Sequence, residues 1–234
     1  MIVTIDGPVA SGKSTVAQKL AERFGFYYLY TGLLYRALAY ALVTSFEYTK
    51  KTLEEPAQED IDVLLAKGRI VYTYDAQGPH IFFDSVEITH LLKSEFVDSI
   101  SSISSANARV RHAVFLLQQS VAVENNIVAD GRDTGTVVFP LAEAKFFLTA
   151  SLSERARRWR IGQMRQGNSV SEEEARAAVA LRDERDTTRV ISPLKKAEDA
   201  ILVDNTDLTI DETVAFMERV VAVCVAKETK HPEL

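Results

Sequence analysis

Near the amino terminus the chain reads Ile2-Val3-Thr4-Ile5-Asp6-Gly7-Pro8-Val9-Ala10-Ser11-Gly12-Lys13-Ser14-Thr15, and this stretch decides the fold. Its first residues are apolar or β-branched and run into a Gly-Pro turn signal, which predicts a buried strand. Beyond the loop, apolar residues recur at intervals of three and four up to Phe24, which predicts a helix. The loop between them matches G-x-x-x-x-G-K-[ST], the pattern of a phosphate-binding loop, or P-loop.

This P-loop predicts a site for a nucleoside triphosphate. Its backbone N–H groups and the start of the helix offer donors to phosphate oxygens. Lys13 is expected to reach the β and γ phosphates as a catalytic residue, and the Ser14 hydroxyl is expected to bind Mg²⁺. The chain contains no N-K-x-D guanine signature, so the predicted cofactors are ATP and Mg²⁺. The predicted cofactor-binding residues are Gly7, Pro8, Val9, Ala10, Ser11, Gly12, Lys13, Ser14 and Thr15.

The alternation of strand and helix continues along the chain. A second strand is predicted over residues 26–30 and a second helix over 33–43, and later helices are expected over about 99–124 and 211–226. Three more apolar runs are Ile127 to Asp130, Lys145 to Leu148 and Ile201 to Asp204. This pattern predicts an α/β fold with a five-stranded parallel sheet flanked by helices. Two β-rich runs, 69–74 and 80–83, flank a turn signal and predict a small antiparallel β insertion, with 86–88 as a possible third strand.

Composition and charge narrow the class of protein. The chain of 234 residues carries a formal net charge of −6, which argues against a general nucleic-acid binder. Its single cysteine, Cys224, excludes an intramolecular disulfide and is expected to be buried and inert. The histidines, which show no close metal-ligand spacing, are His80, His90, His112 and His231. Without a basic leader or an apolar run of 18 residues, a cytoplasmic protein with no membrane partner is expected.

A second candidate site follows the strand that starts at Ile127. Arg132 and Asp133 would lie at the carboxyl end of a parallel strand, where open α/β sheets bind ligands. An arginine there can bind phosphate through two N–H groups, and a carboxylate can accept from an amine or hold Mg²⁺ indirectly. The alternative is that both residues only pair with neighbours and fix the turn.

A third candidate is a charged stripe late in the chain. Arg182, Arg185, Asp186 and Arg189 share one face of a predicted helix, while Asp183 and the residue after it are expected to point elsewhere. Three guanidinium groups and one carboxylate suit a ligand that carries phosphate and ribose hydroxyls. A solvated helix held by ion pairs is the alternative.

A basic arm precedes that stripe. Its arginines are Arg155, Arg157, Arg158, Arg160 and Arg165. Such an arm could close over a transferring phosphoryl group, because cations there stabilise the transition state and closure excludes water. A solvated surface or an RNA-contacting patch remains the alternative.

With these segments, the chain resembles the bacterial cytidylate kinases, members of the nucleoside monophosphate kinase group. The likeness covers nearly the whole chain, and the most specific segment runs from Ala129-Asp130-Gly131-Arg132-Asp133 to Phe139-Pro140. Further matching segments are Thr31-Gly32-Leu33-Leu34-Tyr35-Arg36, Arg109-Val110-Arg111 and Ser192-Pro193-Leu194. The resemblance implies phosphoryl transfer from ATP to CMP or dCMP. It also implies a helical lid, and a monomer is expected.

The resemblance also implies roles for individual residues. Phosphate contacts are implied for Arg36, Arg132 and Arg189, ribose contacts for Arg182 and Asp186, and cytosine recognition for Ser102, Arg111 and Asp133. Thr31 keeps the substrate-binding hydroxyl of the family, and the catalytic residues would be Lys13, Arg132, Arg155 and Arg158. The chain departs from the family at Tyr30, where an aspartate is usual, and at Trp159, where a lid arginine is usual.

A single kinase domain over 1–234 is predicted. Its core would comprise 1–35, 92–150 and 190–234, with a monophosphate-binding insertion at about 36–91 and the lid with its arginine helix at about 151–189. Two other functions stay open. One is the same chemistry on UMP or AMP, and the other is a nucleotide-dependent RNA-binding module that uses the arginine arm.

Overall fold

The computed structural model of the chain describes residues 1–228, so His231 lies outside the described residues. Its strands are β1 (Ile2–Asp6), β2 (Tyr27–Tyr30), β3 (Ile70–Asp75), β4 (Gly78–Phe83), β5 (Val86–Glu87), β6 (Ile127–Gly131), β7 (Ala144–Thr149) and β8 (Ile201–Asp204). Its α-helices are α1 (Lys13–Phe24), α2 (Thr31–Phe46), α3 (Gln58–Leu65), α4 (Glu95–Ser104), α5 (Ala108–Glu124), α6 (Leu152–Arg165), α7 (Glu172–Thr188) and α8 (Ile210–Glu228).

The main sheet has the strand order β2-β6-β1-β7-β8, which confirms the predicted five strands. Strand β1 pairs in parallel with β6 and with β7, and β7 pairs in parallel with β8. Val3, Ile5 and Val128 are fully buried, as expected where helices cover a parallel sheet. In this register Asp6 lies opposite Gly131 and Phe147, so the loop after β1 and the segment after β6 start at the same sheet edge.

The P-loop leads from β1 directly into α1. A Cβ atom at Gly7 would lie 2.0 Å from the carbonyl oxygen of Leu148, so only glycine allows the loop to pass this close to its neighbour. Helix α1 buries Val16, Ala17, Leu20 and Ala21 as the periodicity predicts, whereas Phe24 is half-buried. The helix ends at Gly25 in the left-handed conformation. The strand, loop and helix predicted from the sequence are therefore all present.

The antiparallel insertion is also confirmed. Strands β3, β4 and β5 form a separate three-stranded sheet in chain order, with Ile70 opposite Phe83. The prediction of a single helix over about 99–124 is wrong, because the structure has two helices, α4 and α5, in this region. Asn107 separates the two helices, since its side chain accepts hydrogen bonds from the backbone N–H groups of Arg109 and Val110 and caps α5.

The closing helix α8 buries Val214, Met217 and Val221 as expected. Cys224 is only half-buried, and its thiol lies 3.5 Å from the carbonyl oxygen of Glu143. The expectation of a fully buried thiol is therefore wrong. No helix within residues 1–228 is long and apolar enough to cross a membrane.

The chain divides into two compact units. One, which we call the P-loop unit, consists of Met1–Phe26 and the described part of Ile127–Leu234. The other, the middle unit, is Tyr27–Asn126 and contains the antiparallel sheet. The domain boundaries given above stay a prediction.

Candidate phosphate-binding site

Lys13 lies beneath the P-loop. Its Nζ atom donates hydrogen bonds to the carbonyl oxygen of Pro8 at 2.6 Å and to Ser11 Oγ at 3.3 Å, and its side chain is buried. Burial lowers the pKa of the Lys13 ammonium group well below its usual range, and the nearby charge of Arg132 lowers it further. An incoming phosphate would oppose both effects, because an opposite charge favours the protonated form.

Ser14 and Asp130 form a pair of oxygen donors beside this lysine. Ser14 Oγ donates to Asp130 Oδ2 at 2.7 Å, and Asp130 is buried at the end of β6. A hydroxyl next to a carboxylate is the ligand chemistry that Mg²⁺ takes in P-loop proteins, so the residues present fit this ion. Our sequence analysis placed the metal only at Ser14. The position of Asp130 at the end of an apolar strand was the signal for this second oxygen donor.

Asp6 fixes the turn that follows β6. Its Oδ1 atom accepts hydrogen bonds from the backbone N–H of Thr134 at 2.9 Å and from Thr134 Oγ1 at 2.7 Å, and its Oδ2 atom accepts from the N–H of Gly135 at 2.7 Å. Burial raises the pKa of the Asp6 carboxyl, while these three hydrogen bonds act in the opposite direction. A Cβ atom on Gly135 would lie 2.7 Å from Thr4 Oγ1, so the turn packs tightly on β1. Sequence analysis gave no role to this carboxylate.

The structure brings Arg132, Asp133, Asp186 and Arg189 together in the P-loop unit. Arg132 Nε donates to Asp186 Oδ2 at 2.6 Å. Arg189 Nη2 lies 3.5 Å from Asp133 Oδ1, and Arg189 Nη1 lies 3.9 Å from Asp186 Oδ1. Arg182, on the same helix α7, is exposed. Arg132 therefore pairs with a distant helix, rather than with turn neighbours alone.

Arg155 is buried against the P-loop. Its Nε atom donates to the carbonyl oxygen of Ala150 at 2.9 Å, and its Nη1 atom donates to the carbonyl oxygen of Val9 at 3.3 Å and to the carboxylate of Asp183. The expectation that Asp183 points away from the site is wrong, because its position on α7 faces Arg155 of α6. Glu184, by contrast, is exposed.

Arg158 contacts a different part of the same loop. Its Nη1 atom donates to the carbonyl oxygen of Ser11 at 3.2 Å and to Asn205 Oδ1 at 2.9 Å. Asn205 is fully buried and donates to the same Ser11 oxygen at 3.0 Å, a role that sequence analysis missed. Glu154 accepts hydrogen bonds from Arg157 and Arg158. These hydrogen bonds, of which that of Arg157 has the larger effect, lower the pKa of Glu154 to about 2.

In the middle unit, Arg36 is held by two side chains. Its Nε atom donates to Asp98 Oδ1 at 2.7 Å, and its Nη1 atom donates to the phenolic oxygen of Tyr30 at 2.9 Å. The Tyr30 ring stacks on Tyr28 with 6.2 Å between ring centroids. Tyr30, which stands where the resembled family has an aspartate, thus makes direct contact with the predicted phosphate-binding arginine.

The other predicted residues of the middle unit lie on three helices. Arg111 is buried on α5, where its guanidinium lies 5.4 Å from the centroid of the Tyr35 ring and its Nη1 atom donates to the carbonyl oxygen of Ser105 at 3.2 Å. Ser102 is exposed on α4, and Thr31 is buried at the start of α2. The predicted binding residues are thus divided between the two units.

Comparison with known proteins shows the family to which this sequence belongs. Residues 3–223 match the sequence model of the family described as cytidylate kinase. A cytidylate kinase from Carboxydothermus hydrogenoformans is 43% identical over 94% of this chain and 97% of that protein. A cytidylate kinase from Shouchella clausii is 40% identical over 91% of this chain and 92% of that protein. Among solved structures, an uncharacterized protein from Eubacterium ventriosum matches with a TM-score of 0.50 and 14% identity, covering 95% of this chain and 98% of that chain.

Proposed function

The chain belongs to the cytidylate kinase family, and on that premise we propose that it transfers the γ-phosphoryl group of ATP to the phosphate of CMP or dCMP. An oxygen of the acceptor phosphate attacks the γ-phosphorus, the bond to the β-phosphate oxygen breaks, and the products are ADP with CDP or dCDP. The observation that carries the proposal is the P-loop with buried Lys13 beside the Ser14–Asp130 pair. The acceptor phosphate is already anionic, so no residue needs to act as a covalent nucleophile.

The donor half of the reaction uses the P-loop unit. The loop N–H groups and Lys13 bind the ATP phosphates, and Ser14 and Asp130 hold Mg²⁺. When bound, Mg²⁺ supplies positive charge against the β and γ oxygens. Because Lys13 is already fixed by two hydrogen bonds to the loop, little ordering remains when the nucleotide arrives. All proposed residues come from one chain, and we propose that a monomer carries the activity.

The acceptor half uses arginines and a carboxylate that the sequence analysis identified. Arg36, Arg132 and Arg189 bind the monophosphate, and the ribose hydroxyls are bound by Arg182 and Asp186. Asp186 also accepts from Arg132 at 2.6 Å, so this carboxylate orients a phosphate-binding arginine besides contacting the sugar.

The base is recognised through hydrogen bonds. Asp133 accepts from the exocyclic amine of cytosine, Arg111 donates to ring acceptors, and Ser102 completes the contact. Uracil reverses the hydrogen-bond polarity at two ring positions, so a uracil nucleotide would leave polar groups of the site unpaired. Discrimination of this kind reaches about 10⁴-fold or more. Asp133 lies within 3.5 Å of Arg189, so base and phosphate contacts are linked by one ion pair.

The deciding experiment measures ADP release from the purified protein with MgATP and, separately, CMP, dCMP, UMP and AMP, with identification of the nucleotide product. Turnover with CMP or dCMP in strong preference to the others supports the proposal. Preference for UMP or AMP would overturn the base assignment, and salt-sensitive RNA binding without any nucleotide product would favour the RNA-binding alternative.

A pair of arginine variants tests the site itself. R132A is expected to lose turnover almost completely while keeping its fold. R157A is the matched control, because the Arg157 side chain is 62% exposed and pairs only with Glu154 among the described residues. Equal activity of the two variants would contradict the role of Arg132.

A further inference from the structure

The carboxylate of Asp183 makes two contacts, one with the P-loop and one with Arg155. Its Oδ1 atom accepts a hydrogen bond from the backbone N–H of Val9 at 3.2 Å. Its Oδ2 atom pairs with Nη1 of Arg155, whose side chain is 10% exposed. One carboxylate on α7 thus joins a loop amide to a lid arginine. Nothing in the phosphate, ribose and base contacts proposed above uses this residue.

These contacts hold the Arg155 guanidinium on two of its three nitrogens. Nε is fixed by the carbonyl oxygen of Ala150, and Nη1 is shared between the carbonyl oxygen of Val9 and Asp183. Nη2 makes no hydrogen bond to any of the residues in 1–228. The donor left for a ligand is therefore a single, pre-oriented NH₂ group next to the loop that carries the nucleotide phosphates.

Among the partners of Arg155 within residues 1–228, Asp183 is the only one that carries a negative charge. The carbonyl oxygens of Ala150 and Val9 also accept hydrogen bonds from the Arg155 guanidinium, but they carry no net charge. A charge-assisted pair is shorter and about twice as strong as a neutral hydrogen bond, so the carboxylate sets the plane of the guanidinium. The same carboxylate also fixes the Val9 amide, so it sets the position of the arginine relative to the loop.

We propose that Asp183 is the positioning residue for Arg155, holding its guanidinium against the P-loop so that Nη2 meets the phosphoryl group as it is transferred. This inference rests on the proposed function, because it assigns Arg155 to the transition state of that reaction. Charge develops on the phosphoryl oxygens only during transfer, so a fixed donor there lowers the barrier without tightening substrate binding.

The test compares D183N with E184Q. Both variants remove one negative charge from adjacent positions of α7, but the Glu184 side chain is exposed and Asp183 bridges α6 and the P-loop. We expect kcat of D183N to fall roughly 10- to 100-fold, since small displacements of a catalytic group have effects of this size. The KM for CMP should change less than about twofold, because a transition-state contact leaves ground-state binding in place. E184Q should match the unsubstituted protein.

A double-mutant comparison separates positioning from a general structural role. If Asp183 acts through Arg155, the double variant D183N/R155A should have the kcat of R155A alone within about twofold. Once R155A has removed the guanidinium, D183N can no longer displace it. If the losses in kcat of the two single variants multiply in the double variant, the proposal is overturned. D183E, which keeps a carboxylate, should recover most of kcat, and D183S takes the place of D183N in these comparisons if D183N does not fold.

Failure of this inference and failure of the proposed function give different results. If the unsubstituted protein does not phosphorylate CMP or dCMP, the proposed function fails and the variants are not needed. If it does, and D183N has an unchanged kcat, only the role of Asp183 fails. Faster turnover of D183N with a lower KM for ATP would also overturn it, by showing that the carboxylate competes with the nucleotide for the Val9 amide.

Discussion

Replacing Asp6 with alanine removes the acceptor of three buried hydrogen bonds at the end of β1. In the D6A variant the N–H groups of Thr134 and Gly135 lose the oxygens that lie 2.9 and 2.7 Å away, and both glycine and threonine are buried. Leaving a buried donor unsatisfied costs about 1 to 3 kcal/mol. The two amides alone account for about 2 to 6 kcal/mol, and the Thr134 hydroxyl can rotate to another acceptor. We therefore expect D6A to lower the free energy of unfolding by about 2 to 6 kcal/mol.

Urea unfolding followed by circular dichroism measures this loss, and the thermal midpoint checks it. For a chain of 150 to 250 residues, 1 kcal/mol corresponds to about 2 to 4 °C, so the midpoint should fall by about 4 to 24 °C. T4V is the matched control. Thr4 is fully buried in the same strand, but its hydroxyl has no hydrogen-bond partner among the described residues. Removing that hydroxyl should leave stability unchanged or raise it, since valine has nearly the same shape.

A loss below about 1 kcal/mol in D6A would refute this reasoning, because it would mean that water or another acceptor replaces the carboxylate. Equal losses in D6A and T4V would refute it too, since packing alone would then explain both. The D6N variant adds a sharper comparison. Its amide keeps one accepting oxygen but turns an NH₂ group toward a donor. The free energy of unfolding of D6N should therefore be higher than that of D6A and lower than that of T4V.

Three further predictions concern the site and its charges. S14A and D130N should each raise the Mg²⁺ concentration for half-maximal ADP release about 10-fold or more, because both oxygens are assigned to the ion; an unchanged Mg²⁺ titration would contradict this. Y30F removes one hydrogen bond from Arg36 and should raise the KM for CMP about fivefold with kcat retained, and an unchanged KM in steady-state kinetics would exclude this role. The pKa of Glu154 is lowered from 4.5 to about 2, so its stabilising effect is complete above pH 4.5 and is lost as pH falls toward 2. Urea unfolding of E154Q at pH 6, 4 and 3 should therefore show a shrinking difference from the unsubstituted protein.

Local signals were enough to predict most of the fold. The P-loop follows from glycine and lysine spacing within nine residues, and the core strands follow from short apolar runs, since both depend on neighbours in sequence. The break between α4 and α5 was missed although its signal is local. Asn107 favours a helix N-cap, but the apolar periodicity on both sides of it outweighs a single polar residue in a sequence pattern.

The carboxylates at the site were harder to predict because their partners are remote in sequence. Asp183 contacts Val9 across 174 residues, and Asp6 contacts Thr134 across 128. Helical spacing predicts that Asp186 and Arg189 lie on one side of the chain, and both reach the same cluster, whereas Arg182 and Arg185 are exposed. Spacing alone does not say which neighbouring element each face meets. The role of Asp183 depends on where α6 lies beside α7, and no pattern within α7 contains that information.

Charge balance in the P-loop unit shows why geometry decides phosphate binding here. Four of its site arginines have a carboxylate near them: Arg132 with Asp186, Arg155 with Asp183, Arg158 with Glu154 and Arg189 with Asp133. In a chain of net charge −6, such neutralised pairs create little excess positive charge to attract a nucleotide. A guanidinium has five N–H donors, however, and a carboxylate occupies at most two of them in a paired contact. Phosphate must then be bound by the remaining donors, whose directions are set by the carboxylates. A change that turns a guanidinium should therefore reduce turnover even where the arginine itself remains.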